Sequence, residues 1–578
     1  MIVPMKHLTL LCVSGEREKA LEALRDLGCA HLELGGATAS REFQEAKGAL
    51  ADAERAVRVL AKAAKEADAE KADGRFDAVR SRDLVATVLK ADAERQAFDD
   101  AADALRQTVR KYEPYGDFDP ALAQSLLDRG IDLSAVAELP DPLPKERLSE
   151  TRRKLAEAEA NAAGVRNALA ALNRRANAIH DLYPELRDRM AFAAARDALA
   201  TQGAVSWIEG WVPQDAVPKV RAKAVTKAWG ILLRDPEADE DPPTLIRPPK
   251  AFRPVAALFK GLGISPAYTE ADVAVPFMCY FSFFFAMLVG DGAYGAIFLA
   301  ATLWGWWKTR PIGATRPQGT ARHRPRVVRD WLTLLTVFSI ATVLWGLLSN
   351  TWFGAGIPWC ADWPTVKWLA DPSYRNMMFL CFTIGVSHLM LARLWNGVCK
   401  APDSTCLAEF GWAGIVLTMY LVTNTIVGIF DAMPTWGLWV GGVSIALVFL
   451  FTLKPREVKT RGAELGMLPL NIMSALGDVI SYVRLFAVGL ASVKVAENFN
   501  GMAMNVAHAG HAWWSTALLA VGMVAILVVG HGLNLAMAGL SILVHAVRLN
   551  TLEFSNHKGI TWSGHAFNPF RLETKEKT

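Results

Sequence analysis

A single arginine near the middle of a long apolar segment constrains this chain more than any other feature. The segment runs from about Leu468 to Val495. It is long enough to cross a bilayer, because a membrane-spanning helix needs about 20 mostly apolar residues. A guanidinium at its centre costs roughly 2.5–3.5 kcal/mol on insertion scales, and this one is too far from either end to reach the membrane surface fully. Arg484 must therefore face protein or water and not lipid.

Two apolar segments carry polar side chains at helical spacing, with steps of three and four residues that keep them on one helix face. The first set is Asn471, Ser474, Asp478, Ser481 and Arg484. The second set is His531, Asn534, Ala538, Ser541, His545 and Arg548. Two such faces on consecutive spans, each with an arginine, indicate an ion path between two helices. The alternative is that each arginine closes a structural ion pair inside a helix bundle, with Asp478 or Glu553 as its partner.

The chain of 578 residues divides by composition into three parts. Residues 1–265 are charged and rich in alanine, whereas apolar runs dominate residues 266–550. We therefore expect a cytoplasmic domain, a membrane domain for ion translocation and, over residues 551–578, a cytoplasmic tail. No export signal precedes the first domain, which enters a short strand directly.

Several function classes find no support in the sequence. The formal net charge of +4 is too small to indicate nucleic-acid binding. The seven cysteines show no metal-binding spacing, so neither a metal site nor a cofactor is predicted. No phosphate-binding GxxxxGK[ST] loop occurs, and ATP hydrolysis would have to belong to another polypeptide.

The cytoplasmic domain is predicted to combine small α/β lobes with a coiled coil. Strands are expected near residues 6–14, 30–34, 204–212 and 228–233, with helices after the first and third. One heptad series runs through Leu50, Ala53, Val57, Leu60, Ala64 and Ala67, breaks near Gly74 and is followed by a helix from about Arg82. A longer series runs through Leu148, Thr151, Leu155, Ala158, Ala162, Val165, Leu169, Leu172, Ala176 and Ile179. These series predict an antiparallel coiled-coil hairpin, against the alternative of a single solvated helix.

The membrane domain is predicted to cross the bilayer eight times. Residues 276–307 exceed one span and are interrupted at Gly290-Asp291-Gly292, and the basic loop that follows, with seven Lys and Arg between Lys308 and Asp330, is cytoplasmic by the positive-inside rule. The segment must then cross an even number of times, as a hairpin of two short spans. Later spans are expected near residues 331–351, 376–396, 408–429, 435–453, 468–496 and 514–548. Both termini are then cytoplasmic.

At this point the chain resembles the membrane subunit a of V-type and A-type rotary ATPases, called subunit I in prokaryotes. The most specific motifs are Gly477-Asp478 through Tyr482-Val483-Arg484-Leu485, and His545-Ala546-Val547-Arg548-Leu549 followed by Glu553. Further similar motifs are Pro276-Phe277, Gly385 with His388, Glu209-Gly210-Trp211-Val212-Pro213 and Asn568-Pro569-Phe570. The resemblance covers nearly the whole chain.

The resemblance implies a mainly α protein that is a non-catalytic stator for ion translocation. Its last two helices would be long and tilted, and would lie against a rotating ring of c-type proteolipids. Arg484 would face the ring carboxylates and Arg548 would support it. The cytoplasmic lobes would contact peripheral stalk subunits and the central-stalk cap. The short loops between spans resemble those of compact prokaryotic members, which implies the plasma membrane.

Polar residues near the two arginines are candidates for lining two half-channels: Asp478, Ser481, Tyr482, His531, Asn534, Ser541, His545 and Glu553. For each of them, ordinary hydrogen bonding between helices is the alternative. Eukaryotic members carry a glutamate where this chain has Ala538, which leaves one half-channel undefined. The sequence does not decide between H⁺ and Na⁺, nor between pumping and synthesis.

Two rival functions predict different behaviour. A stand-alone secondary transporter would move its substrate without other subunits, and such proteins usually show repeat symmetry, which is not visible here. A purely structural tether would tolerate Arg484→Ala with pumping intact.

Overall fold

The computed structural model describes residues 2–35, 40–66, 83–129, 143–309, 326–453, 463–508 and 513–572. The protein is mainly helical and forms two compact units. We name the two units after their sequences. The soluble unit, charged and rich in alanine, comprises Met5–Pro236 and the chain from Asn568 onward, and the membrane unit, rich in apolar runs, comprises Glu237–Phe567 with the residues before Met5. The change of unit at Pro236 lies in the Pro- and Asp-rich stretch that separates the two halves of the sequence.

The soluble unit contains an antiparallel sheet in the order β2-β4-β1-β5, with β3 beside β4. Its strands are β1 (Met5–Val13), β2 (His31–Leu32), β3 (Ala200–Gln202), β4 (Val205–Pro213) and β5 (Gly230–Arg234). Alternate residues of β1 and β4, such as Leu8, Leu10 and Ile208, are buried under α1 (Arg17–Leu27) and α8 (Val217–Lys227). The four predicted strands are all present. Phe570, from the far end of the chain, also lies in this core.

The remaining helices of the soluble unit are α2 (Arg41–Glu66), α3 (Leu84–Tyr112), α4 (Pro120–Asp128), α5 (Leu148–Leu172), α6 (Ala176–His180) and α7 (Tyr183–Asp197). Helices α3 and α5 pack in opposite directions, because Arg106 pairs with Glu159 at 2.5 Å while Asp99 pairs with Arg166 at 3.6 Å. Every residue of the longer predicted heptad series is buried or half-buried.

The shorter heptad series is partly wrong. In α2 the buried residues are Ala53, Ala56, Leu60 and Ala63, and the predicted Ala64 is exposed. The reason is that α2 packs against α3, α5 and α7 together, so its buried face is wider than a two-stranded seam. The predicted positions Ala67, Gly74 and Arg82 lie outside the described residues.

The membrane unit contains, within the described ranges, five helices long and apolar enough to cross a membrane: Val328–Ser349, Arg375–Lys400, Cys406–Ile426, Leu468–Val506 and Leu519–Lys558. The helix bounds are α9 (Val255–Leu262), α10 (Ala274–Val289), α11 (Gly292–Thr309), α12 (Arg326–Ser349), α13 (Pro364–Leu369), α14 (Arg375–Lys400), α15 (Cys406–Ile426), α16 (Thr435–Phe451), α17 (Ala463–Gly466), α18 (Leu468–Ile480), α19 (Val483–His508), α20 (Trp513–Ser541) and α21 (Ser555–Lys558). The basic residues of the loops at 310–325 and 454–462 are outside the described ranges.

The chain reverses direction between α10 and α11. Gly290 has φ of 70°, a left-handed conformation that glycine adopts without strain. The rings of Phe285 and Phe298 are 6.5 Å apart, whereas in one straight helix they would be about 20 Å apart at a rise of 1.5 Å per residue. Asp291 accepts hydrogen bonds from the amides of Ala293 at 2.8 Å and Gly354 at 2.9 Å, which fixes the turn. The predicted hairpin is therefore present.

The last two spans are both irregular near the predicted site. Between α18 and α19 the amides of Tyr482, Arg484 and Leu485 each bond to the carbonyl three residues earlier, which tightens the turn. After α20 the helix continues through two π-helical segments, Ile542–Ala546 and Leu549–Phe554, before α21.

Candidate functional site

Arg484 and Glu553 form an ion pair between the last two spans. The Arg484 Nη2 donates to Glu553 Oε1 at 2.5 Å, and its Nε donates to the Ser481 carbonyl at 2.8 Å. The tightened turn supplies that carbonyl, so the irregularity of the helix helps to fix the guanidinium. Arg548 lies 3.4 Å from the same Glu553 oxygen. We call Arg484, Arg548 and Glu553 the arginine cluster.

The arginine cluster settles one alternative left open by the sequence. Both arginines pair with an acid of their own chain, and that acid is Glu553 and not Asp478. The Arg484 side chain nevertheless keeps 21% of its surface exposed, whereas Glu553 keeps 5%. Within the described part of the chain, Glu553 Oε2 is buried without a hydrogen-bond partner. The cluster therefore combines two cations, one shared carboxylate and an accessible guanidinium edge.

Asp478 belongs to a separate polar cleft. Its Oδ2 bonds to Nε2 of the buried His557 at 3.0 Å, and His557 Nδ1 accepts from Arg393 Nε at 3.1 Å. Arg393 also pairs with the buried Glu409 at 3.2 Å. Asp478, His557 and Arg393 border an open cleft of about 510 Å³. Its other polar lining residues are Asn471, Ser474, Thr452 and Asn556. We call it the Asp478 cleft.

His531 and Asn534 belong to a third group, the tyrosine network, which consists of Tyr294, Ser492, Asn500, His531 and Asn534. Tyr294 Oη bonds to His531 Nδ1 at 2.7 Å and accepts from Asn534 Nδ2 at 3.1 Å. His531 Nε2 also lies 3.1 Å from Asn500 Oδ1. Ser492 Oγ donates to Asn534 Oδ1 at 3.1 Å. The network joins the first hairpin to both of the last two spans.

Tyr482 is fully buried and its hydroxyl lies 2.9 Å from His388 Nδ1. The imidazole is stacked between Tyr280 and Phe554, with ring centroids 4.1 and 4.5 Å away. A Cβ at Gly385 would lie 2.5 Å from the Tyr482 ring, so glycine makes this contact possible. Tyr482 is thus held in the core of the membrane unit and does not line the cleft.

The residues of the second predicted polar face point inward up to Ser541, and beyond it the buried positions change. His531 and Ser541 are half-buried, and Asn534 and Ala538 are buried, as expected for one inward face. Beyond the first π-helical segment the buried positions become Ile542, Ala546 and Leu549, while Arg548 is 55% exposed.

A π-helical segment adds residues to the turn and rotates everything after it, which explains the change of face. His545 remains half-buried, with Nδ1 buried and lacking a partner among the described residues. Ser481 is half-buried at the turn, and its hydroxyl donates to the Asp478 carbonyl at 2.6 Å.

The three groups follow one another along the same two spans. At a rise of 1.5 Å per residue, Arg484 lies about 9 Å from Asp478 and about 12 Å from Ser492 along the helix axis. A fixed cation thus separates two polar regions, each of which contains a histidine.

Eight residues of these groups were missed by sequence reasoning: Tyr294, Arg393, Glu409, Thr452, Ser492, Asn500, Asn556 and His557. Arg393, Glu409 and His557 come from three helices, and their separation along the chain gives no periodic signal. Tyr294 is next to the recognised Gly290-Asp291-Gly292 turn, which was the one available sign of its position.

Comparison with known proteins gives relatives that are all called subunit I of a V-type or A-type ATP synthase. The chain is 27% identical over 99% of its length to the whole of V-type ATP synthase subunit I 1 of Treponema pallidum. It is 30% identical to V-type ATP synthase subunit I of Borreliella burgdorferi over 64% of this chain and 60% of that protein. A-type ATP synthase subunit I of Methanocaldococcus jannaschii is 24% identical over 64% of this chain and 56% of its own length.

No family model matches the chain. The relatives come from bacteria and an archaeon, and the match to the Treponema protein extends over both units. Apart from Tyr294 and Thr452, the residues of the polar groups described above lie in helices long and apolar enough to cross a membrane. These matches support the assignment of the chain to the family of V-type and A-type ATP synthase I subunits.

Proposed function

We propose that this protein is the static membrane subunit of a V/A-type rotary ATPase, and that it forms two ion half-channels against a rotating ring of c-type proteolipids. The observation that carries the proposal is the position of Arg484, which is partly exposed inside an apolar span between two polar regions. Family membership supports the assignment to the ATPase, and the arrangement of polar groups supports the ion path.

The half-channels are the Asp478 cleft on one side of Arg484 and the tyrosine network on the other. In the cleft, Asp478 and His557 exchange or guide the cation, with Arg393 and Glu409 holding His557 in place. In the tyrosine network, His531, Asn534 and Tyr294 form a continuous set of hydrogen-bonding groups. Asn471, Ser474 and Asn556 extend the cleft toward solvent.

Charge determines the transfer step. A ring carboxylate in hydrocarbon binds H⁺ or Na⁺, since burial disfavours its ionised form. When it meets the exposed edge of Arg484, the guanidinium stabilises the ionised carboxylate and the cation leaves through one half-channel. Beyond Arg484 the carboxylate reloads from the other half-channel. Arg484 also repels a cation moving directly between the two.

Glu553 gives this step a resting state. Between encounters the guanidinium of Arg484 is paired with Glu553, which lowers the cost of holding its charge in the membrane. A ring carboxylate competes for Arg484, while Arg548 stays close enough to compensate the Glu553 charge. His545 lies on the same span, three residues before Arg548.

The proposal includes eight membrane crossings, with both termini in the cytoplasm, and a prokaryotic plasma membrane as the location. The coiled-coil hairpin and the α/β lobes of the soluble unit would contact peripheral stalk subunits and the central-stalk cap. There they resist the torque of the rotor. ATP hydrolysis or synthesis takes place on other subunits.

The test is ATP-driven ion uptake by the complete complex in liposomes, with wild-type protein, Arg484→Lys and the control Arg329→Lys. Arg329 is an exposed arginine of α12, outside the three polar groups. We expect Arg484→Lys to assemble but to lose ion pumping, because a lysine has a different reach and cannot donate two parallel bonds. Arg329→Lys should pump normally.

Full coupled pumping by Arg484→Lys would contradict the proposed role of this arginine. Pumping that survives Arg484→Ala would instead support a structural tether. Ion or substrate transport by the chain alone, in liposomes without other subunits, would support the secondary transporter.

A further inference from the structure

Three side chains capable of binding a metal ion come together on one face of the sheet in the soluble unit. His7 is on β1, Glu209 on β4 and Glu33 directly after β2. One ring nitrogen of His7 and one carboxylate oxygen from each glutamate lie within 4.8 Å of one another. The backbone fixes this arrangement: His7 is paired with Trp211, and the Glu33 amide donates to the Glu209 carbonyl at 3.1 Å.

His7 provides an independent sign that a ligand is missing from its surroundings. Its side chain is only 4% exposed, and within the described residues its Nδ1 is buried without a hydrogen-bond partner. A buried imidazole nitrogen in a folded protein normally has a partner, because leaving it unpaired costs free energy. The exposed glutamates leave a route from solvent to this ring.

Trp211 holds the other two residues in position. Its indole is edge-on to His7, with ring centroids 4.9 Å apart, and its Nε1 donates to Glu33 Oε1 at 2.6 Å. A hydrogen bond of this kind orients a carboxylate for metal binding and is common around metal ligands. The His7 ring and the Glu33 carboxylate are therefore already oriented by Trp211.

We propose that His7, Glu33 and Glu209 bind a divalent transition-metal ion of the Zn²⁺ class, with water completing its coordination. One imidazole and two carboxylates suit such an ion, and the two negative charges balance its charge. Zinc–ligand distances of about 2.0–2.2 Å require the exposed glutamate side chains to move inward by a small amount. The site is independent of the proposed ion path.

The ion would join β1, β2 and β4, whose ligands are distant in the chain. Sequence spacing therefore gave no sign of a metal site. The prediction that the chain has no metal site followed from the spacing of the cysteines alone. A ligand that binds only the folded state raises its stability in proportion to the logarithm of its concentration. The ion would thus fasten the N-terminal strand of the soluble unit to the strand that returns from the helices.

The test uses the full chain in detergent, without a histidine tag. Zn²⁺ binding is measured by calorimetry, and Co²⁺ binding is measured by visible absorption. The Tm is determined with and without Zn²⁺. The variants are Glu33→Gln and Glu209→Gln, which change exposed side chains, with Glu157→Gln on the coiled coil as the control. We expect the two site variants to bind Zn²⁺ at least roughly tenfold more weakly and to lose the Zn²⁺-dependent rise in Tm.

The control should behave like the wild type. A His7→Gln variant, checked for folding by circular dichroism, should also lose the tetrahedral Co²⁺ spectrum. Equal Zn²⁺ affinity and equal Tm rise in the wild type and both glutamate variants would overturn the proposal. A wild-type protein whose Tm does not respond to Zn²⁺ would overturn it as well.

Discussion

At the scale of single residues, one carboxylate serves two arginines. Glu553 lies within 2.5 Å of Arg484 and 3.4 Å of Arg548, and it is almost fully buried. The cation that defines the proposed ion path therefore has an acidic partner in its own chain. The role of Arg484 depends on how easily Glu553 can be exchanged for a carboxylate of another subunit.

Replacing Glu553 with glutamine should destabilise the membrane unit. Glutamine keeps the size and one acceptor but removes the charge that both arginines share. Removing one partner of a buried ion pair costs roughly 3–5 kcal/mol, and the partial exposure of the arginines places the expected cost at the lower end. The measurement is the Tm of the full chain in detergent. Glu497→Gln, which loses only an exposed ion pair with Lys494, is the control. A Glu553→Gln variant with the same Tm as the wild type would contradict the prediction.

Tyr482→Phe separates a structural role from a role in ion transfer. The change removes the hydroxyl that bonds to His388, whose Nε2 already has no partner among the described residues. The buried imidazole would then be unpaired at both nitrogens, which costs about 1–3 kcal/mol. We expect a lower Tm with ion pumping retained, and Tyr115→Phe, an exposed tyrosine, should leave both unchanged. Lost pumping at an unchanged Tm would place Tyr482 in the ion path.

At the scale of helices and strands, the close approach of the last two spans depends on a glycine. A Cβ at Gly530 would lie 2.2 Å from the Phe499 ring, whereas a Cβ at Gly532, two residues later, would meet open space. Gly530 and Gly532 therefore form a matched pair in the same helix. The contact holds α19 and α20 at the distance at which the tyrosine network forms.

Gly530→Ala should force these helices apart. Overpacking of this kind typically costs about 1–3 kcal/mol. We expect a lower Tm in detergent and reduced ion uptake by the reconstituted complex, while Gly532→Ala should match the wild type in both measurements. If both variants behave alike, the contact does not control the packing of the last two spans.

The sequence predicted those elements whose signal is local or periodic. The heptad positions from Leu148 to Ile179 and the polar face from His531 to Ser541 follow from spacing along the chain. The hairpin at Gly290 follows from the length of the apolar segment and the basic loop after it. The π-helical segments could not be predicted from spacing, because they arise where packing forces extra residues into a turn. The pairing of His557 with Asp478 was equally hidden, since it joins residues from two helices with no shared period.

At the scale of the whole molecule, residues from the two ends of the chain build one core. Phe570 lies among Leu21, Leu24 and Ile208, and its amide donates to the Ala30 carbonyl at 2.7 Å. Asn568 also bonds through its amide to His31 Nδ1 at 3.0 Å. The lobe is therefore completed by residues that follow every membrane helix in the sequence.

Phe570→Ala should loosen this lobe selectively. Truncating a buried phenylalanine costs about 3–5 kcal/mol. We expect faster amide hydrogen exchange in β1 and α1, with little change in α14 or α15. Leu232→Ala, at an exposed position of β5, serves as the control. Unchanged exchange in β1 would contradict the prediction.

The position of Phe570 also sets an order of events during biosynthesis. When β1 and α1 leave the ribosome, one part of their core has not yet been translated. The hydrophobic surface that Phe570 will cover stays exposed until the last transmembrane segments have been inserted. The lobe can mature only in chains whose membrane insertion is complete, so a protein that stalls in the translocon would present an unfinished lobe to proteases.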